Sequence, residues 1–228
     1  AGRVAAVRER IARAAARAGR SPGDVTLVAV SKTFPASAVR EAFGAGVTDF
    51  GENKVQEAEG KIAALRELAA QGLRWHLVGH LQSNKARKAG ALFDWIHALD
   101  GADLGRRLNA VGAERSKPVR VFVQVDLAGE TTKFGVPQSE LFPTLEALKG
   151  LEKLEVEGLM ILPPYDQDPE KSRPYFRRLR ELSEKGVSAG LLRGQLSMGM
   201  SHDFEAAVEE GATLVRVGTA IFGERTKA

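Results

Sequence analysis

Eight short apolar runs, most of them followed by a stretch with helical spacing, constrain this chain more than any other feature. They cover residues 25–30, 47–50, 74–78, 95–98, 119–126, 154–160, 194–198 and 213–217, with helix patterns at 36–43, 53–70, 102–114, 139–148, 170–184 and 203–210. Parallel strands need a crossover to bring the chain back to the same end, and a helix is the usual one. Eight such units predict an α/β fold in the form of a closed parallel (β/α)8 barrel of the TIM type. A doubly wound sheet, the structural alternative, usually carries fewer strands. The 228 residues, 43% of them hydrophobic, suffice for one full core, and no low-complexity linker interrupts them, so a single domain over residues 1–228 is expected.

An extra helix precedes the first run. In "RVAAVRERIARAAARAGR", Val4, Val7, Ile11, Ala14, Ala15 and Ala18 recur at helical spacing until Gly19, with arginines between them. Its expected place is the lower face or the side of the barrel. An arginine-rich face suits nucleic acid or anionic lipid, but this stripe is mostly alanine and has no aromatic anchor. A solvated face is therefore the preferred reading, and nucleic acid is not an expected partner.

The absence of cysteine excludes a disulfide framework, a cysteine metal site and a catalytic thiol. No run approaches the length of a membrane span, and the N-terminus lacks the apolar core of a secretory signal, so a cytoplasmic protein with no membrane partner is expected. The net charge of +4 says little about partners.

In a parallel barrel the chemistry gathers where strands end. Lys32 follows the first run in "VAVSKTFP"; Glu52 and Asn53 follow the second; His80 and Gln82 the third; Asp126 and Lys133 the fifth; Arg216, Gly218 and Thr219 close the eighth. His76 and His80 have the spacing of a helical zinc pair. In an extended strand, however, four residues span roughly 13 Å, too far for one ion without a turn at Gly79, so no metal is expected. Lys32 at the rim is expected to be partly desolvated, which lowers the pKa of an amine and favours attack on a carbonyl. Either a sugar phosphate or pyridoxal 5'-phosphate (PLP) would supply that carbonyl, and both carry a phosphate. "VGTAIFGE" offers a cradle through Gly218, the Thr219 hydroxyl and a short helix start. "SMGMSHD" is expected to play a side role, with Ser201 capping the next helix and Asp203 repelling an anion on its axis.

The ordered motifs "VSKTFP", "DFGENKVQEA", "WHLVGHLQSNK", "GETTKFGV", "EGLMILPP" and "LSMGMSHDFEAAVEEGATLVRVGTAIFG" run through nearly the whole chain. Together they resemble the pyridoxal phosphate homeostasis protein family, the YggS/PROSC group, which is similar to the N-terminal barrel of alanine racemase. The resemblance implies a PLP-binding protein that takes part in PLP homeostasis and supply. It makes Lys32 the Schiff-base lysine, sets Asn53 near the ring, places Ser197, Ser201, Gly218 and Thr219 around the phosphate, and puts Arg216 by the pyridine nitrogen. Lys133 matches a lysine of the family's loop, with an expected role in exchange or closure.

Alanine racemases bring a catalytic tyrosine from a second domain, for which the resemblance leaves no room here. Tyr165 is expected to pack on the loop prolines, and Tyr175 lies in the following helix. The alternatives are a low-activity amino-acid racemase and a Schiff-base aldolase. A monomer is expected, with PLP, apo-forms of PLP enzymes, and amino or keto acids as the partners to consider.

Overall fold

The computed structural model describes residues 1–129 and 134–224. Its strands are β1 (Thr26–Val30), β2 (Asp49–Glu52), β3 (Arg74–Leu77), β4 (Trp95–Leu99), β5 (Val119–Asp126), β6 (Val136–Pro137), β7 (Leu154–Met160), β8 (Gln195–Met200) and β9 (Leu214–Val217). Its helices are α1 (Gly2–Arg17), α2 (Ala36–Gly44), α3 (Val55–Ala64), α4 (Arg66–Ala69), α5 (Ala86–Leu92), α6 (Ala102–Glu114), α7 (Leu141–Lys149), α8 (Arg173–Ser188), α9 (Phe204–Glu209) and α10 (Thr219–Phe222). Pairing runs β4-β3-β2-β1-β9-β8-β7-β5, and a β4–β5 pairing closes the ring into a barrel of eight parallel strands. The two-residue β6 adds only to the end of β5.

Strands buried on both faces need apolar side chains toward the helices and toward the axis, which is why "TLVAV" and "VRVFVQVD" read as nearly unbroken runs. The outer layer, represented by Ala29, Phe50, Leu77, Ile96 and Val121, packs on the helices. Val28, Ala98, Phe122, Met160 and Leu214 form a separate, smaller cluster inside the barrel. The register slips between Ile96 and Leu99. Ala98 joins the interior cluster while His97 tilts against Phe122 at 4.5 Å, so two consecutive residues of β4 meet interior neighbours.

Helices form where the apolar spacing predicts them, with two differences. The stretch 53–70 is broken at Leu65, whose φ of −122° and ψ of 17° separate α3 from α4. Leu65 is buried there, so its packing outweighs helical continuity. The helix α5 had no counterpart among the sequence patterns, since its seven residues contain only alanine and a leucine as apolar material. The helix α1 buries Val4, Val7, Ile11, Ala14 and Ala15. Its arginines are engaged rather than simply solvated: Arg10 meets Glu205 at 2.9 Å and Arg17 meets Glu209 at 2.6 Å, while Arg20, just beyond the helix, donates to the Val208 carbonyl at 2.7 Å. These contacts fasten α1 along α9 on the barrel's side. Among the described residues no helix is long and apolar enough to cross a membrane.

Candidate functional site

Lys32 sits just beyond β1. The ladder continues one residue past the strand, with Ser31 N–H donating to the Gly51 carbonyl at 2.9 Å, and a turn then closes through Phe34 N–H to the Ser31 carbonyl at 3.0 Å. Lys32 lies half-buried in this turn. The neighbouring strand ends bring the other candidates beside it. Val30 is in register with Gly51 on one side and Ala29 with Val217 on the other, so Asn53 and Gly218 flank Lys32 from β2 and β9. The approaches are close on both sides: a Cβ on Gly218 would lie 3.3 Å from the Val30 carbonyl oxygen, and one on Gly79 would lie 2.8 Å from Asn53 Cα. Glycine at 79 lets the turn after β3 press against Asn53.

The loop after β8 is organised differently from the sequence expectation. Ser201 does not cap α9; that position belongs to Asp203, whose Oδ1 accepts from Met200 N–H at 2.7 Å. The Ser201 Oγ instead accepts from Gly218 N–H at 3.1 Å and Ala220 N–H at 3.4 Å. The physical reason is that a free hydroxyl facing the open N–H groups of the α10 turn satisfies two backbone donors at once. Ser201, Gly218 and Thr219 thereby form one tied corner at the mouth.

Below that corner a chain of polar groups crosses the barrel interior. Arg216, only 4% exposed, donates to Ser197 Oγ at 2.6 Å and to the Ile161 carbonyl at 2.8 Å. Ser197 Oγ lies 2.7 Å from His97 Nδ1, His97 Nε2 lies 2.9 Å from His76 Nδ1, and His76 Nε2 lies 2.9 Å from Asp49 Oδ1. Arg74 and Thr48 hold the other Asp49 oxygen at 2.6 and 2.7 Å. The carboxylate can only accept, so His76 donates to it from Nε2; with both rings neutral, its Nδ1 accepts from His97, whose own Nδ1 accepts from the Ser197 hydroxyl. In that protonation state every donor in the chain points from Arg216 toward Asp49. Burial, with the neighbouring His76 and Arg216, holds the His97 pKa well below the ordinary imidazole value, which fits a neutral ring. Burial alone would raise the Asp49 pKa, but the bonds from His76 and Arg74 hold it at about 2. Desolvation brings Arg216 down to about 10, with Asp203 opposing, so the guanidinium stays cationic at neutral pH.

A family model described as alanine racemase, N-terminal domain, matches residues 3–226. The pyridoxal phosphate homeostasis protein of Pseudomonas aeruginosa is 46% identical over 97% of this chain and 94% of its own length; that of Escherichia coli K12 is 42% identical over 97% and 95%. The chain belongs to the pyridoxal phosphate homeostasis protein family. Among solved structures, Synechococcus elongatus PipY with PLP bound superposes with a TM-score of 0.83 at 42% identity, covering 93% of this chain and 100% of that one.

Of the residues that the family resemblance singles out, Lys32, Asn53, Ser201, Gly218 and Thr219 gather on four adjacent strand ends. Ser197 stands apart from them: it is fully buried inside the barrel between Arg216 and His97. Lys133 lies outside the described residues. Tyr165 does not pack on the prolines but is 79% exposed, its ring 5.5 Å from His202, whereas Tyr175 lines a small pocket with Pro163 and Pro164. His76 and His80 part company, His76 entering the interior chain and His80 stacking on Phe134 at 3.5 Å beside Asp100. Sequence reading treats His97 as a hydrogen-bonded structural residue, which it is, but misses that Asp49 and His76 join it in one interior chain. The available signal was Asp49, His76 and His97, each a titratable side chain interrupting one of three successive apolar runs.

Proposed function

We propose that this protein binds PLP at the barrel mouth, holds it reversibly through Lys32, and keeps it available in the cytoplasm for other PLP-dependent proteins. The observation that carries the reading is the grouping of the Lys32 amine and the Ser201–Gly218 corner on adjacent strand ends, with the buried guanidinium of Arg216 inside β9 below them. This set fits the three polar parts of PLP, namely an aldehyde, a phosphate and a ring nitrogen. The PipY structure with PLP bound supports it at 42% identity. When bound, PLP supplies an aldehyde that condenses reversibly with a lysine amine, giving a Schiff base and water.

Each residue then has a definite task. Ser201, Gly218 and Thr219 would hold the phosphate, Asn53 would face the ring, and Lys32 would supply the amine. Arg216 would donate to the ring nitrogen and, being cationic, disfavour its protonation. An unprotonated ring is a weaker electron sink, which suits holding a cofactor better than carbanion chemistry.

The test is an absorbance spectrum of the protein and of Lys32→Ala with PLP, before and after borohydride, followed by peptide mass spectrometry. We expect a visible band in the parent, bleached with a stable mass addition on the Lys32 peptide and absent from the variant. If excess PLP gives neither band nor addition in the parent, the reading fails.

A further inference from the structure

The peptide groups on either side of Lys32 are held by a charged cluster, Glu57 and Lys61 on α3 with Glu52 at the end of β2. Lys61, 8% exposed, donates to the Ser31 carbonyl at 2.7 Å, to Glu52 Oε1 at 2.8 Å and to Glu57 Oε1 at 3.0 Å. The Ser31 hydroxyl donates to the same Glu52 oxygen at 2.6 Å, and Glu57 Oε1 accepts from Thr33 N–H. The Ser31 carbonyl and the Thr33 N–H belong to the two peptide groups that flank Lys32. Both are therefore fixed by neighbouring residues of one helix, four positions apart.

Two features show that this arrangement costs stability locally. Thr33 has φ of +69°, in the left-handed region that a β-branched residue avoids. Glu52 is fully buried, and its Oε2 has no hydrogen-bond partner among the described residues. Burial raises the Glu52 pKa against the opposing pull of Lys61 and Ser31. For Glu57 burial acts in the same sense, but the Thr33 N–H and Lys61 outweigh it and the net shift is downward. A strained turn and a partly unsatisfied carboxylate persist only where the surroundings over-determine them.

We propose that Lys61 and Glu57, braced by Glu52, are positioning residues that set the backbone of Lys32 so that its amine is presented to the barrel mouth. The inference rests on the PLP reading for what the amine captures, but the clamp itself can be tested without PLP. Held peptide groups on both sides leave the lysine only its side-chain torsions to order when it reacts, which is the usual gain from preorganisation.

The experiment compares Glu57→Ala, Glu57→Gln and Lys61→Met with the parent. In the PLP-free proteins, amide hydrogen exchange is followed at residues 31–34. We expect Glu57→Ala to speed exchange of the Thr33 amide at least tenfold while exchange in the barrel strands is unchanged, and Glu57→Gln, which keeps an acceptor oxygen, to restore most of the protection. With PLP, stopped-flow absorbance should show covalent capture slowed at least tenfold in Glu57→Ala. Affinity for pyridoxine 5'-phosphate, which lacks the aldehyde, should stay within twofold. Glu57 is partly exposed, so its variants remain informative if Lys61→Met does not fold. Exchange and capture both within twofold of the parent in Glu57→Ala would overturn the clamp, as would equal losses of capture and of pyridoxine 5'-phosphate affinity. If the parent captured no PLP, the proposed function would fail, and the exchange arm would still decide whether Glu57 holds the turn.

Discussion

Replacing His97 by leucine tests whether the ring at the centre of the interior hydrogen-bond chain is neutral. His97 is fully buried, with His76 Nδ1 on one side at 2.9 Å and the Ser197 hydroxyl on the other at 2.7 Å. Leucine fills comparable space but leaves one acceptor and one donor unpaired in the interior, at about 1–3 kcal/mol each, so the variant should lose about 2–6 kcal/mol at pH 7. The same substitution carries a pH signature. The folded-state pKa of His97 lies well below 6.5, whereas the unfolded chain takes up the proton near 6.5. The stability that His97 contributes is thus present above 6.5 and is lost as pH falls toward its folded value. From pH 7 to pH 5 the unfolded parent gains about 2 kcal/mol from this one imidazole, and the leucine variant gains nothing at that position. Urea unfolding of both proteins at the two pH values should show the gap between them narrowing by about 2 kcal/mol at pH 5. A gap that is unchanged or wider at pH 5 would refute a neutral His97.

Asp49→Asn should cost about 2 kcal/mol at pH 7, because the aspartate pKa is held at about 2 against an ordinary 3.8; that stability is present above 3.8 and vanishes as pH falls toward 2, which acid titration of both proteins by circular dichroism would follow. Ser201→Ala removes the acceptor shared by Gly218 and Ala220 N–H and should weaken pyridoxine 5'-phosphate binding about tenfold by calorimetry, with stability lowered by about 1 kcal/mol.

Much of the barrel was legible because its strands are buried on both faces. Residues 119–126 and 154–160 match β5 and β7 to the residue, and 102–114 matches α6, whose buried Leu104, Leu108 and Val111 recur at helical spacing. The candidate site was legible in part. Lys32, Asn53, Gly218 and Thr219 stand out because polar residues and glycines follow apolar runs, and a barrel collects all strand ends at one mouth. The hydroxyl of Ser201 was assigned to the wrong backbone groups, since its proximity to a following helix in the chain is visible in sequence and its proximity to Gly218, 17 residues on, is not.

What the sequence by itself determined is periodicity: which segments are strands, that there are eight of them for the barrel, and that a lysine ends the first. Those are local properties, set by side-chain alternation and helical spacing within a few residues. Only the tertiary structure decided which polar groups become partners. Asp49, His76, His97, Ser197 and Arg216 look like isolated interruptions along the chain, and ring closure, in which β4 meets β5, brings them into one continuous sequence of hydrogen bonds, because polar groups buried this deeply need partners. Likewise Glu57 and Lys61 read as an ordinary helical ion pair, and it is the packing of α3 behind β1 and β2 that turns the pair toward the backbone of Lys32.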